Sequence, residues 1–255
     1  MNKKFWTLDK EGKEILRDLE KENENFTFLG YWENKFDSNN YQYQEMFNSY
    51  LHEDNGCDYE RMGCYIKEGD VVVDIGANIG LFAHRAETRG ASKVICFEPM
   101  TPTFECLLKN KGEKTEVFKI GIAGNTRFEN FIIPEDYSLI GGATSTNQDL
   151  KLTNRKIAHS ETVFLLDINE IFKSNLIGKI DFLKVDIEGG EEELFNNIKD
   201  ENLESCRCVA CEFHNTHENF DNFQDKVWER MMSLNFNGYC LYHGNGDLRT
   251  LTFWK

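Results

Sequence analysis

The 255-residue sequence has no apolar run long enough to cross a bilayer, and it is poor in proline and in basic residues. A transmembrane helix needs about 18 consecutive apolar residues, and the charged N-terminus lacks the apolar core of a signal peptide. Lysine and arginine total 29 against 44 aspartates and glutamates, which gives a net charge of -15. This excess of acid argues against nucleic acids and anionic membranes as partners. We therefore expect a cytoplasmic protein.

The eight cysteines are predicted to be free thiols, because disulfides are rare inside cells. Three of them, Cys206, Cys208 and Cys211, lie close together in a predicted strand. A zinc site usually needs two paired knuckles of ligands, and the sequence shows one irregular cluster. Small buried residues of a sheet are the favoured interpretation.

A strand followed by a glycine turn is the most informative pattern. Three consecutive valines begin a buried strand predicted over 71–75. Gly76 and Gly80 follow, where the backbone must turn sharply or approach a ligand, and a helix is predicted over 79–89. Asp74 precedes the turn, and its carboxylate suits a ligand with an amine or a positive charge better than a phosphate. This pattern is typical of sites for S-adenosylmethionine, with an ordinary strand-to-helix turn as the alternative.

A second acidic residue, Glu98, ends the next predicted strand, over 93–98. It lies 22 positions after Gly76 (98 minus 76), close to the interval at which doubly wound folds place a ribose-binding acid. Ribose hydroxyls donate hydrogen bonds and an ionised carboxylate accepts them. A solvated acid at a strand end is the alternative.

The remaining sequence divides into an N-terminal extension and one larger domain. Residues 1–55, with a charged helix expected over 11–24, are interpreted as a cap on a domain that spans 56–255. The polar segment 134–160 is longer than most connections and is a candidate lid. Alternating strands and helices predict an α/β fold with a mostly parallel seven-stranded sheet and a C-terminal antiparallel hairpin. Further helices are expected over 59–67, 101–110, 167–173, 191–198 and 221–234, and further strands over 116–121, 127–133, 162–167, 180–186, 207–213, 238–243 and 249–254.

Four side chains suited to acid–base chemistry follow two predicted strands. Asp186 and Glu188 end one strand, and Glu212 and His214 end the next. Ligands of open α/β sheets bind beyond the carboxyl ends of strands, so we predict that these four catalytic candidates meet there. His214 is the best-poised base near neutral pH. A bound divalent cation is a less favoured interpretation, and helix capping or ordinary packing is the alternative for individual residues.

The run from Asp74 to Gly80, the triplet Phe97-Glu98-Pro99 and the run from Lys184 to Glu191 occur in this order. Together they resemble the FkbM family of S-adenosylmethionine-dependent methyltransferases, and the resemblance extends over about 59–214. It implies a class I methyltransferase with a Rossmann-like fold. It also implies that the cofactor contacts Asp74, Gly76, Ala77, Asn78, Gly80, Glu98, Pro99, Ile122 and Asp186, with Glu60 binding its amino group.

The resemblance implies O-methylation of a sugar or of a small natural-product hydroxyl. N-methylation of peptide amides stays open, as does a non-catalytic module that keeps the cofactor turn. A NAD-linked dehydrogenase is disfavoured, because Gly76 and Gly80 do not give the spacing Gly-x-Gly-x-x-Gly. The acceptor, whether small molecule, glycan or peptide, is not specified by these motifs.

Overall fold

The chain is described from a computed structural model. The described residues are 4–8, 14–18, 57–134, 144–145, 157–175, 177–215, 220–243 and 248–255.

A seven-stranded sheet forms the centre of the molecule, in the order β12-β13-β11-β10-β3-β4-β5. Five neighbouring strands run parallel, and β13 is antiparallel to both β11 and β12. The predicted α/β fold, with a mostly parallel sheet and a C-terminal hairpin, is therefore confirmed. The strands are β3 (Val71–Ile75), β4 (Lys93–Phe97), β5 (Thr115–Phe118), β10 (Phe182–Val185), β11 (Cys208–His214), β12 (Asn237–His243) and β13 (Leu248–Trp254).

Helices cover both faces of this sheet. Val73 and Ile75 pack into one hydrophobic cluster and Val72 into another, because successive side chains of a strand point to opposite faces. Both faces are therefore buried, which explains the continuous apolar runs of the central strands. The helices are α1 (Leu81–Thr88), α2 (Thr101–Asn110), α3 (Ile168–Lys173), α4 (Glu191–Asn197), α5 (Asp200–Ser205) and α6 (Phe220–Ser233). None of the helices in the described ranges is long and apolar enough to cross a membrane.

A second, smaller sheet has the order β6-β9-β7-β8. The strand predicted over 116–121 is wrong as one unit, because it divides into β5 and a separate strand of this second sheet. Gly121 begins that second strand, and a Cβ there would overlap the side chain of Leu165 on the neighbouring strand. The strands are β6 (Gly121–Ala123), β7 (Arg127–Pro134), β8 (Thr144–Ser145) and β9 (Ile157–Asp167).

The segment 134–160 contains more regular structure than predicted, since β8 lies within it and β9 begins at Ile157. The pairing of β9 with β7 extends this strand beyond the local apolar pattern. The rest of the candidate lid, 135–143 and 146–156, lies outside the described residues, so its closure stays a prediction.

Two predicted helices are wrong. Within the helix expected over 11–24, Glu14–Asp18 (β2) is a strand that pairs with Lys4–Leu8 (β1), and the remainder of 1–55 lies outside the described residues. The helix expected over 59–67 is a series of turns, because Met62 and Gly63 have φ values of 55° and 135°. A right-handed helix requires negative φ values, so it cannot pass through this pair.

Candidate functional site

An open cleft lies at the carboxyl ends of the central strands, between the seven-stranded sheet and the second sheet. It contains about 810 Å³ of space between protein atoms, open solvent included. Its position is the one that open α/β sheets generally use for ligands. Seven of the predicted site residues line it: Gly76, Asn78, Glu98, Pro99, Ile122, Asp186 and Glu188.

The glycine turn after β3 forms one wall of the cleft. The amides of Gly76 and Ala77 both donate to the carbonyl of Phe97 at 3.0 Å. Gly76 has a φ of 76°, and a Cβ there would overlap the carbonyl oxygen of Asp186. Glycine is therefore required for the close approach of β3 and β10. Gly80, with a φ of 92°, ends the turn as the N-cap of α1; neither it nor Ala77 is among the residues that line the cleft.

Glu98 is fixed at the end of β4 by three donors. Its Oε1 accepts from the amide of Met100 at 2.9 Å and the hydroxyl of Thr103 at 2.8 Å, and its Oε2 accepts from the amide of Asn78 at 3.0 Å. Burial raises the pKa of Glu98, and these donors oppose the shift. Because each carboxylate oxygen has two lone pairs, the residue retains acceptor capacity toward the cleft.

Asp74 lies beneath the turn and not at the cleft surface. Its side chain is 0% exposed, and the Nζ of Lys184 lies 3.1 Å from its Oδ1. The two groups form an ion pair, but the contact does not have the geometry of a hydrogen bond. Burial raises the pKa of Asp74, and Lys184 opposes that shift. The same ammonium donates to the carbonyl of Gly76 at 2.8 Å and lies 3.5 Å from Oδ2 of Asp186. Lys184 thus links the turn to the end of β10, a role that the sequence analysis did not assign.

The structure brings the four acid–base candidates together, as the strand order predicts. Since β10 and β11 are parallel neighbours with Val185 paired to Cys211, the next residues, Asp186 and Glu212, lie side by side. Tyr59, from the turns before β3, contacts both: its hydroxyl lies 2.9 Å from Oδ2 of Asp186 and 2.8 Å from Oε2 of Glu212. No spacing along the sequence indicates these contacts of Tyr59, because its partners lie 127 and 153 positions away.

His214 is surrounded by carboxylates. Its Nδ1 lies 3.2 Å from Oε1 of Glu191, and its Nε2 lies 3.3 Å from Oε2 of Glu188 and 3.6 Å from Oε1 of Glu212. Burial by itself would lower the pKa of His214, but Glu188 and Glu191 outweigh it and raise the pKa well above the ordinary value. These carboxylates therefore favour the protonated imidazole, and the role of His214 as the base stays a prediction.

Two carboxyl groups of the cluster have pKa values raised from the ordinary glutamate value toward neutrality. Burial, together with the charge of Asp186, raises the pKa of Glu212 to about 7. Desolvation also raises the pKa of Glu188, although His214 opposes the shift. Glu188 has a φ of 55°, in the left-handed region that side chains other than glycine seldom occupy. Such strain is common where function requires a side chain at one position.

The same cluster has ligand atoms suited to a cation. One atom each of Asp186, Glu212 and His214 lie within 4.8 Å of one another, and carboxylate and imidazole groups ligate divalent metals. A bound cation would compete with the positive charge of His214, since a ligating imidazole must be neutral. The need for a cation stays a prediction.

Glu60 does not line the cleft and pairs within the protein, and its contact with the cofactor stays a prediction. This carboxylate is 1% exposed, pairs with Arg85, and accepts from the amide of Ile66 at 3.0 Å. It is not among the residues that line the cleft, and it instead fixes the turns that carry Tyr59.

A charged group on the second sheet completes the opposite wall. Arg127 donates to both oxygens of Glu193 on α4, at 2.7 and 2.9 Å, and its Nε donates to Glu129 at 2.7 Å. All three residues line the cleft. This arginine therefore joins the second sheet to the central domain, a pairing between distant elements that no local pattern indicates.

Comparisons with known proteins agree with this architecture. The family model described as "Methyltransferase FkbM domain" matches residues 74–241. The chain is 28% identical over 210 residues to the AMB antimetabolite synthetase AmbE of Pseudomonas aeruginosa, covering 70% of this chain and 10% of that protein. It is 28% identical over 158 residues to the hexuronic acid methyltransferase AglP of Haloferax volcanii, covering 58% of this chain and 57% of that protein.

A third relative is the 31-O-demethyl-FK506 methyltransferase FkbM of Streptomyces tacrolimicus, 26% identical over 183 residues. The match covers 61% of this chain and 70% of that protein. The chain thus spans a tenth of the first relative and little more than half of the second. Because the family model matches residues 74–241, more than half of the chain, the chain belongs to the FkbM family of methyltransferases.

Proposed function

We propose that this protein is an S-adenosylmethionine-dependent O-methyltransferase acting on a hydroxyl of a sugar or a small natural product. The observation that carries the proposal is the continuity of the cleft with a half-buried acid–base cluster. Asp186 belongs to both, and its Oδ1 is buried without a hydrogen-bond partner among the described residues. A hydroxyl acceptor requires such a group, because methyl transfer to oxygen releases a proton.

The residues of the cleft fit the proposed donor. S-adenosylmethionine supplies an electrophilic methyl group on a positively charged sulfur. Acidic side chains at the carboxyl ends of β4 and β10, Glu98 and Asp186, suit a cation with ribose hydroxyls. Glu98 is buried before any ligand binds, so part of its desolvation cost is already met by folding. Ile122, Met100 and Leu165 form an apolar wall that suits a purine ring.

The chain's own groups would orient the acceptor and remove its proton. Asp186 lines the cleft that would receive the acceptor hydroxyl, while Lys184 and Tyr59 contact its Oδ2. The cation of His214 balances the charge of Glu188 and Glu191. Alignment of the two reactants would lower the barrier to methyl transfer further, because holding them in reacting geometry reduces its entropic part.

The names of two relatives support an oxygen acceptor. One is a hexuronic acid methyltransferase and another a 31-O-demethyl-FK506 methyltransferase. N-methylation of a peptide amide is the second candidate, and the acidic composition favours it for a basic peptide. We propose small-molecule or glycan acceptors before peptides, and no role for nucleic acid.

Calorimetry and an acceptor panel test the proposal. Titration of S-adenosylmethionine into the wild-type protein should show one site, and Asp74→Asn should weaken it, because Lys184 then loses its anionic partner at the turn. Sugars, polyketide alcohols and basic peptides are then incubated with the cofactor and analysed by mass spectrometry. A methyl gain on a hydroxyl supports the proposal, whereas a methyl gain confined to peptide nitrogen replaces it with the second candidate.

A non-catalytic cofactor-binding module is the remaining alternative. The variant Glu212→Gln separates it from an enzyme, since Glu212 does not line the cleft and the variant should bind the cofactor and lose transfer. Cofactor binding by the wild type without transfer to any member of the panel would favour the non-catalytic alternative.

A further inference from the structure

Two buried cysteines face each other where the turns before β3 meet the start of β11. The Sγ of Cys64 lies 4.0 Å from the carbonyl oxygen of Val209, and the Sγ of Cys208 lies 4.0 Å from the carbonyl oxygen of Tyr65. Each thiol therefore reaches the residue that follows the other cysteine, and the two thiols are hydrogen-bonded to each other. Both are free, 0% exposed and part of one hydrophobic cluster.

The packing of Gly63 shows how closely the two segments approach. A Cβ at this glycine would overlap the indole ring of Trp254, and Trp254 is the residue of β13 that pairs with Cys208. Cys208 is fixed in the sheet, because it also pairs with Phe182 of β10. Residues 57–66, by contrast, form turns and irregular chain. The segment that carries Cys64 can therefore take up the small displacement that a bond between the two sulfur atoms requires.

A guanidinium group lies beside the pair. Nη1 of Arg207 donates to the Sγ of Cys208 at 3.0 Å, and its Nη2 donates to the carbonyl of Tyr65 at 3.0 Å and pairs with Asp70. A neighbouring arginine stabilises a thiolate, which is the reactive form of cysteine. The hydrogen bond from Cys64 and the charge of Arg207 lower the pKa of Cys208, although burial and Asp70 oppose this shift.

Other buried cysteines differ from Cys208 in this respect. Burial raises the pKa of the Cys96 and Cys211 thiols, and it raises that of Cys64 well above the ordinary value. The pair therefore combines one sulfur that is stabilised as a thiolate with one that keeps its proton. These are the two roles that disulfide formation requires, an attacking thiolate and a second thiol that resolves the intermediate.

We propose that Cys208 and Cys64 are a site of reversible oxidation, at which hydrogen peroxide converts the two thiols into a disulfide. The thiolate of Cys208 attacks one peroxide oxygen, the O–O bond breaks, and the hydroxide that leaves takes up the proton that Cys208 released. The sulfur of Cys64 then attacks the sulfur of the sulfenic acid, the S–O bond breaks, and the proton of Cys64 leaves with that oxygen as water. The thiols lose two electrons, and the peroxide is reduced to two water molecules.

The bond would connect two segments that meet again at the acid–base cluster. The turns that carry Cys64 also carry Tyr59, and β11 carries both Cys208 and Glu212; the hydroxyl of Tyr59 contacts Glu212. Oxidation would therefore fasten the segment of Tyr59 to the strand of its partner. The chemistry of the two sulfur atoms does not involve the cleft, so the proposal is independent of the proposed methyl transfer.

Mapping of the oxidised protein tests the proposal. The reduced full-length protein is treated with hydrogen peroxide, remaining thiols are blocked with iodoacetamide, and peptides are analysed by mass spectrometry. We expect one linked pair, Cys64 with Cys208, that dithiothreitol separates. The link should persist in Cys96→Ala, a control at another buried cysteine of the same cluster, and be absent from Cys64→Ala. Alkylation of both Cys64 and Cys208 after peroxide treatment, or links spread among other cysteines, would overturn the proposal.

A second measurement uses the wild type alone and so does not depend on the folding of a variant. The oxidised form should unfold about 5 °C or more above the reduced form, because the bond joins residues 144 positions apart (208 minus 64). Dithiothreitol should reverse the shift. An equal or lower midpoint would mean that the bond forms only in opened chains, and would overturn the proposal.

The rate of oxidation tests the role of the arginine. Arg207→Gln should form the link several-fold more slowly than wild type, since less of Cys208 is then present as thiolate. Formation at the wild-type rate would contradict activation of Cys208 by Arg207.

Discussion

Replacement of Lys184 by methionine should unfold the protein far more easily than its small change in volume suggests. The side chain is 3% exposed and its ammonium is the cation that faces the fully buried carboxylate of Asp74. Removing one member of a buried ion pair costs about 3–5 kcal/mol, because the other charge is left without compensation. For a chain of this length we expect the midpoint of thermal unfolding to fall by about 6–20 °C.

Urea unfolding at several pH values measures this effect and identifies its cause. In Lys184→Met the folded-state pKa of Asp74 rises further above its unfolded value, so the folded protein binds a proton that the unfolded chain releases. Stability therefore falls as pH increases, and the deficit should be larger at about pH 8 than at about pH 5. The double variant Lys184→Met, Asp74→Asn should recover much of the loss, since no unpaired charge remains.

The control is Lys179→Met, because that ammonium is largely exposed and its ion pair with Asp181 contributes little. A Lys184→Met variant that unfolds within about 1 kcal/mol of wild type would refute the reasoning. So would a double variant no more stable than the single one, because the cost would then come from packing and not from charge.

Three further outcomes follow from the site. Glu98→Gln should weaken S-adenosylmethionine binding by about tenfold or more in calorimetry. The glutamine side chain has one acceptor oxygen where the carboxylate has two, so it cannot accept from both the protein donors and the ribose. The exposed Glu105→Gln is the control, and equal effects of the two variants would contradict the role of Glu98. The stability that His214 contributes is present below its ordinary pKa and is lost as pH rises through the raised folded value, so wild type and His214→Gln should differ more at about pH 6 than at about pH 9 in urea unfolding. Removal of metal with EDTA should leave methyl transfer intact, because His214 already compensates the acids; loss of activity that Mg²⁺ or Mn²⁺ restores would contradict this.

The parts of the fold that depend on local pattern could be predicted from sequence. The valine run gave β3, and the glycines that follow gave the turn. The convergence of Asp186 with Glu212 was predictable too, because parallel neighbouring strands end at one edge. Errors occurred where conformation depends on distant contacts, as at Gly63, which lies against Trp254 near the C-terminus.

Side-chain partners explain most of what the sequence did not indicate at the site. Glu60 has the residue type that binds an amino group, yet Arg85 from α1 already engages it. An unperturbed histidine has a pKa near neutrality, but three surrounding carboxylates raise the pKa of His214. Neither pairing follows from spacing along the chain, because each joins residues from separate elements of the fold.

The left-handed backbone of Glu188 has a consequence for engineering. A glycine there would adopt the same φ of 55° with less steric cost, typically about 1 kcal/mol or more. The natural residue therefore lowers the stability of the folded protein but places a carboxylate within reach of His214. Libraries selected only for thermal tolerance should accumulate glycine at this position, and the clones that carry it would be robust but impaired enzymes.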